Sequence, residues 1–266
     1  MVSFGTFPKT VCTLLYCWSC YVVLFKAVPV LESSQWVKIL AYLFYIVEFG
    51  LALGLYWMII LDGPHFAKDV PELQAVDERQ PPSVLIERAV TAKNTGGYRL
   101  CTKCNVWKPD RCHHCSSCGK CVLKMDHHCP WFGECIGYGN LRWFIQFLIH
   151  SCIYLAGVTI VCGLVEYQRV LDCSLHVLLA GILAVVFFVC MLVMFFLTSY
   201  QILQGRTTIE SYESQNFKHS GYKNVFDLGK TQNWKTVMGK GWIQWVFPVS
   251  GPFDAGKGLW FRTVDG

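Results

Sequence analysis

Four long apolar stretches decide what this chain can fold into. They run from about Val11 to Leu31, from Ile39 to Leu61, from Trp143 to Val165 and from Val177 to Leu197. Each matches the roughly 20 residues that an α-helix needs to cross the hydrocarbon of a bilayer. The third and fourth carry no charge, the second carries Glu48 alone, and the first holds Lys26 and Pro29 near its end. A secretory signal is the alternative for the first stretch, but that stretch is long and no small-x-small cleavage site follows it cleanly. Composition agrees: 53% of the residues are apolar and 15% charged, against about a quarter charged in soluble domains. Mean hydropathy is +0.37. This excludes disorder, a collagen-like chain and an ordinary soluble enzyme, and predicts an α-helical integral membrane protein with four transmembrane helices.

The loops orient the spans. Residues 62–142 form a long polar loop with 11 Lys/Arg, and the tail from Gln201 holds 8 more. The short turns 27–38 and 166–176 hold only Lys38 and Arg169. Positive loops stay in the cytosol, so the long loop and both termini are expected there. The expected divisions are 1–61 for the first two helices, 62–100 for a linker, 101–142 for a cysteine-rich domain, 143–203 for the last two helices and 204–266 for a cytosolic C-terminal region. Pro71, Pro81, Pro82, Gly96 and Gly97 give 67–97 its linker character. Tail aromatics (Phe217, Tyr222, Phe226, Trp234, Trp242, Trp245) fit two readings, packing on the loop or lying at the interface. No whole-fold repeat and no low-complexity segment stands out. The net charge of +5 without a long Lys/Arg run gives no sign of nucleic-acid binding.

Cysteine is the second anomaly. Of 15 cysteines, eight lie between Cys101 and Cys135, interleaved with four histidines. A secreted disulfide scaffold does not mix the two in this way, so metal binding on a reducing, cytosolic side is the better reading. Cys101 and Cys104 form one C-x-x-C; Cys112, Cys115, Cys118 and Cys121 follow at a spacing of three. Such gaps let a tight turn aim two thiolates at one tetrahedral zinc. Eight Cys and four His make 12 donors, and two closed tetrahedral sites use eight of them. So little apolar core lies here that metal must supply much of the folding energy. The four spare donors leave room for chemistry. Asp126-His127-His128-Cys129 is the suggestive cluster, because a Cys beside a His becomes a thiolate nucleophile and a carboxylate can orient that His. On chemistry alone, Cys129 and both histidines could equally be ligands.

Asp126-His127-His128-Cys129-Pro130-Trp131, in such a loop between spans two and three, resembles the DHHC protein S-acyltransferase (palmitoyltransferase) family. Thr207-Thr208-Ile209-Glu210 matches the family's T-T-x-E motif, and Asn233 the Asn of its C-terminal aromatic-rich motif. Trp131-Phe132-Gly133-Glu134-Cys135 looks most like fungal vacuolar members. The resemblance implies a ping-pong transfer of a long acyl chain from acyl-CoA, such as palmitoyl-CoA, through an acyl-Cys129 intermediate to protein cysteines near the membrane. It implies His127 as base, polarised by Asp126. It implies two Zn²⁺, one held by Cys101, Cys104, His114 and Cys121, the other by Cys115, Cys118, His128 and Cys135. It further implies an acyl cavity lined by Trp131, Phe144, Phe147 and Tyr154 and closed by Ser19 with Tyr154, and CoA contacts from Lys108 and Arg111. Expected partners are the bilayer, acyl-CoA and cytosolic or peripheral membrane proteins; the expected site is an endomembrane such as vacuole or Golgi.

Departures from the family pattern are Cys112 in place of a small residue, Gly133-Glu134 in place of Asn-Asn, and Asp62-Gly63-Pro64 in place of Asp-Pro-Gly. Glu48 has no partner that the sequence identifies. Two other readings compete with the enzyme: a zinc-dependent interaction module in which Cys129 is structural, and a metal-handling membrane protein.

Overall fold

The structure is a computed structural model that describes residues 6–75, 77, 79–88, 98–169, 174–217, 224–249 and 258–263. Gly96, Gly97, Tyr222 and the side chain of Phe217 lie outside the described residues. The chain divides into two compact units, residues 1–57 with 145–197 and residues 58–144 with 198–266.

Among the described residues, four helices are long and apolar enough to cross a membrane. The first, α1 (Thr6–Val22), continues through a π turn (Val23–Ala27) and a 3-10 turn (Val28–Val30). The irregular end falls at Pro29, whose ring and missing N–H cannot continue an α-helix. The others are α2 (Gln35–Asp62), α4 (Leu141–Gln168) and α5 (Leu175–Leu203), with a one-turn-and-a-half helix α3 (Ser83–Arg88) between α2 and α4. At 28, 28 and 29 residues, the three long helices reach about 42 Å at 1.5 Å per residue, beyond the roughly 30 Å hydrocarbon core.

In the first unit the core joins Val22, Val23 and Ala27 to Tyr154, Val158, Val161 and Cys162 of α4, and to Val177, Ala180 and Ala184 of α5. Polar side chains fix the register. Tyr16 Oη meets Ser151 Oγ at 2.8 Å and Ser19 Oγ meets Tyr154 Oη at 2.9 Å. The pairs advance together, so α1 and α4 run parallel. Tyr45 Oη donates to the Gly157 carbonyl at 2.6 Å, while Glu48 meets His150 at 2.9 Å. Those pairs advance in opposite senses, so α2 runs antiparallel to α4. His150 is thus the partner that the sequence did not identify for Glu48, as an ionisable residue in a membrane helix requires.

Among its described residues, the second unit holds six strands of three residues in three antiparallel hairpins. They are β1 (Arg99–Cys101) with β2 (Val106–Lys108), β3 (His113–Cys115) with β4 (Lys120–Val122), and β5 (His127–Cys129) with β6 (Glu134–Ile136). Helices α6 (Thr208–Phe217), α7 (Lys230–Met238) and α8 (Trp242–Val246) follow α5. The tail aromatics differ in their surroundings. Phe226 stacks on the Arg111 guanidinium at 4.7 Å, whereas Trp242 is 64% exposed. Trp234 and Trp245 pack edge to face at 6.2 Å.

Candidate active site and metal centres

The three hairpins are one unit written three times. Residues 99–112, 113–126 and 127–140 align at a step of 14: Cys101, Cys115 and Cys129 share one place, and Cys104, Cys118 and Phe132 another. The turn residue Asn105, Gly119 or Gly133 has φ of +52°, +66° or +57°, the left-handed region that Gly and Asn tolerate. Gly133 in place of Asn therefore keeps the backbone. The pair facing across each hairpin is Leu100 with Trp107, His114 with Cys121, and His128 with Cys135.

This pattern builds the metal centres. A C-x-x-C turn from one hairpin meets the His–Cys cross-strand pair of the next. Cys101, Cys104, His114 and Cys121 form one cluster, and Cys115, Cys118, His128 and Cys135 the other, with the donor atoms of each cluster within 4.8 Å of one another. Sγ to Nδ1 distances are 3.6, 3.2 and 3.8 Å around His114 and 3.7, 3.4 and 3.6 Å around His128. A tetrahedral zinc with Zn–S of about 2.3 Å and Zn–N of about 2.0 Å needs edges of roughly 3.6 Å. The three-thiolate, one-imidazole donor set and this spacing fit two zinc ions. Successive strand residues point to opposite faces, which is why His114 and Cys115, adjacent in β3, serve different ions.

The same alternation sets Cys129 apart from the metal clusters. In β5, His128 turns to a metal, while His127 and Cys129 share the other face. Of the eight cysteines between Cys101 and Cys135, Cys129 and Cys112 belong to neither cluster. Cys129 is 8% exposed. His127 Nδ1 bonds Asp126 Oδ2 at 2.7 Å. His127 Nε2 is buried without a full hydrogen bond, and reaction-competent contacts of this kind are often loose before substrate binds. Burial pushes the imidazole pKa down, but the Asp126 carboxylate and the Cys129 side chain push it up further, to about 9. Its counterpart one repeat earlier, His113, goes the other way, down to about 4, through burial and the nearby Arg99.

Asp126 is held on three sides. Besides His127, it accepts the Thr208 backbone N–H and hydroxyl, each at 2.9 Å. Burial acts to raise its pKa, yet the His127 and Thr208 contacts leave it below the ordinary carboxylate value. Thr208 is the first residue of α6, where the helix dipole and unpaired N–H groups favour an anion. Thr207-x-x-Glu210 is a capping box: the Glu210 N–H donates to Thr207 Oγ1 at 3.3 Å and the Thr207 N–H to Glu210 Oε2 at 2.8 Å. Glu210 also accepts a two-pronged bond from Arg111, both contacts at 2.7 Å. Burial acts to raise the Glu210 pKa, but the Arg111 charge and bonds bring it below the usual value. Arg111 is further occupied by the Gly205 carbonyl and by the Phe226 and Phe261 rings.

The remaining expected residues fall as follows. Phe144 packs against His127 and Phe132 with ring centroids at 5.3 and 5.9 Å. Trp131 is 57% exposed. Phe147 and Tyr154 both meet the Tyr16 ring, and Ser19 meets Tyr154. Lys108 closes β2. Asn233 joins the α5 end to the tail, bonding the Leu203 carbonyl, Asp227 and the Leu228 N–H. Asp62 accepts the Trp143 indole N–H at 2.7 Å.

Sequence reasoning missed Asn140, which is fully buried and bonds the Ile59 and Cys135 carbonyls and the Gly137 N–H. It also missed Arg142, which bonds the Gln244 and Val249 carbonyls. It missed the 14-residue step as well, although three aligned lines of sequence would have exposed it.

Residues 94–215 match the family model described as DHHC palmitoyltransferase. The chain is 34% identical to palmitoyltransferase PFA3 of Saccharomyces cerevisiae over 91% of its own length and 79% of that protein. It is 36% identical to PFA3 of Candida albicans, over 92% and 76%. It is 33% identical to palmitoyltransferase ZDHHC15 of Mus musculus, over 97% and 82%.

Proposed function

This chain belongs to the DHHC palmitoyltransferase family, and on that premise we propose how its own residues carry out protein S-palmitoylation from an acyl-CoA donor. The Cys129 thiol gives its proton to His127 Nε2. The Cys129 sulfur attacks the thioester carbonyl of the acyl-CoA; a new C–S bond forms and the CoA thiolate leaves, taking up a proton. A thiolate of the protein substrate then attacks the acyl-Cys129 thioester and Cys129 leaves in turn. Exchange of one thioester for another is nearly balanced, so Cys129 must be both nucleophile and leaving group. Asp126 fixes the His127 tautomer and balances its charge; Thr208 and the α6 N-terminus keep Asp126 ionised. Cys101, Cys104, His114 and Cys121 would hold one zinc and Cys115, Cys118, His128 and Cys135 the other, and ions bound there would supply structural cross-links that fix the β5 strand.

The residues proposed to meet the acyl chain are Trp131, Phe144, Phe147, Tyr154 and Ser19. Burial of each methylene gains about 0.8 kcal/mol. CoA phosphates meet Lys108 and Arg111, the latter lining a cavity of about 40 Å³ with Lys124, Arg206 and Arg262. The hairpins and both termini face the cytosol of an endomembrane such as vacuole or Golgi, in keeping with the loop charges. Substrates are proteins with cysteines close to that membrane.

The observation that carries this reading is a Cys129 thiol outside both metal clusters on the face of β5 shared with an Asp126-bound histidine. Intact mass of the purified protein after palmitoyl-CoA, with and without hydroxylamine, tests it. A hydroxylamine-labile adduct of one palmitoyl group is expected, and it should vanish in Cys129→Ser with both zincs retained. Full labelling of that variant would overturn the assignment.

A further inference from the structure

The residue that faces the first cysteine of each hairpin changes along the array. Cys101 faces Val106, Cys115 faces Lys120 and Cys129 faces Glu134. Facing residues of an antiparallel pair project to the same side, with Cβ atoms about 5 Å apart. Lys120 therefore stands beside a metal-binding sulfur, where a cation suits a thiolate. Glu134 stands beside Cys129, where a carboxylate opposes the thiolate. The electrostatics of the third hairpin alone give no reason for that choice, and Glu134 is one of the departures from the family pattern. The face it joins carries His127, Cys129 and Ile136. Cys129 is 8% exposed and Ile136 fully buried, whereas Glu134 is half-buried and open to solvent.

We propose that Glu134 selects the acceptor: it favours transfer from acyl-Cys129 to protein cysteines with a Lys or Arg two residues away. This rests on the acyl-Cys129 intermediate assigned under the proposed function. The two half-reactions meet Glu134 differently. During loading Cys129 must become an anion, and the carboxylate acts against it. Once acylated, Cys129 is neutral, that opposition is gone, and the Glu134 charge faces a thioester. An extended acceptor peptide repeats its side-chain direction every second residue, about 7 Å further on. With its cysteine sulfur at the thioester, a basic side chain two residues away comes within reach of Glu134. The same basic residue lowers the acceptor thiol pKa, which favours the attacking thiolate. Charge then sorts the two substrates: the polyanionic CoA goes to Lys108 and Arg111, and the basic acceptor goes to Glu134.

The test uses the full chain, loaded with palmitoyl-CoA and desalted, so that effects on loading drop out. Two peptides with one cysteine each, identical except for Lys or Glu two residues from it, compete for the acyl group, and mass spectrometry reads the products. Wild type is expected to favour the Lys peptide by about fivefold, the scale of one exposed charge pair, and the ratio should shrink in about 0.5 M NaCl. Glu134→Gln should bring the ratio close to one, and Glu134→Lys should invert it. Zinc content is measured on each variant; if Glu134→Lys loses zinc, the conservative Glu134→Gln decides. A wild-type ratio of one, or a ratio that Glu134→Gln leaves unchanged, overturns the proposal. Failure of wild type to form a hydroxylamine-labile adduct overturns the acyl-enzyme reading instead, and the selection by Glu134 falls with it.

Discussion

Cys115 and Cys129 begin the same turn of the same hairpin, 14 residues apart, and do opposite work. Cys115 is paired with Cys118, whose N–H points at its sulfur at 3.4 Å, and the following hairpin supplies His128 and Cys135. At Cys129 the second turn position is Phe132, whose N–H bonds the Cys129 carbonyl instead, at 3.3 Å. The segment that follows is α4 rather than a fourth hairpin. A thiol outside the metal clusters thus arises by subtraction: the scaffold that elsewhere presents a metal ligand presents at Cys129 a sulfur that belongs to neither cluster. The histidines on the same face diverge too. His127 has Asp126 beside it, where His113 has Cys112 one residue earlier, and their proton affinities move in opposite directions.

The largest test of this contrast exchanges the two cysteines' fates. Cys129→Ser should abolish acyl loading and keep two zincs by metal analysis, whereas Cys115→Ser should lose one zinc and, with it, the fold of the hairpins and all activity. Equal zinc loss in both would erase the distinction. Next in size is the base: His127→Ala is expected to slow loading by about 10²–10⁴ without zinc release, and loss of a zinc equivalent would show that His127 is a ligand. Smaller is the capping-box link. Glu210→Ala leaves Arg111 buried without its carboxylate and should cost about 3 kcal/mol, seen as a lower unfolding temperature of the detergent-purified chain.

The milder Glu210→Gln separates charge from packing. Because the folded pKa of Glu210 is depressed, the wild-type advantage is full above the ordinary carboxylate range. It fades as pH falls through the lowered value. A difference in melting temperature that stays constant with pH would contradict the charge assignment. The subtlest change restores what the third hairpin lacks: Phe132→Cys should leave the transferase active but inhibited by Cd²⁺ at concentrations that wild type tolerates, since paired thiolates favour soft metals. Unaltered Cd²⁺ sensitivity would mean that the turn geometry, rather than the missing thiol, keeps Cys129 free.

The parts legible in the sequence were those with a local signature. Twenty-residue apolar runs announced α2, α4 and α5, and C-x-x-C spacing announced metal. Three-residue strands are too short for a periodic signal, so the hairpins were invisible as strands and visible only as cysteines. The contacts that complete the site join distant residues. Thr208 reaches Asp126 and Glu210 reaches Arg111 across 82 and 99 positions, and His150 reaches Glu48 across 102. One sequence carries no record of such pairings. The T-T-x-E motif was legible as a motif, and half its role, the capping box, follows from local rules. That its first helical N–H is given to the carboxylate that bonds His127 is a tertiary fact.

The 14-residue step has a further consequence for what this segment can become. Each ion is shared between neighbours, so the array resembles a chain of links in which only the last link hangs open. Lengthening it is chemically self-defeating. A fourth hairpin carrying its own His–Cys pair, with a thiol at position 132, would close the open link and turn the nucleophile into one more ligand. Shortening it by one hairpin would leave a sulfur at the free end but sever it from Asp126, Thr208 and the α6 terminus that tune its histidine. The number of hairpins is therefore a catalytic parameter as much as a structural one, and variation among such chains should concentrate in the turns and flanks while the count of links stays fixed.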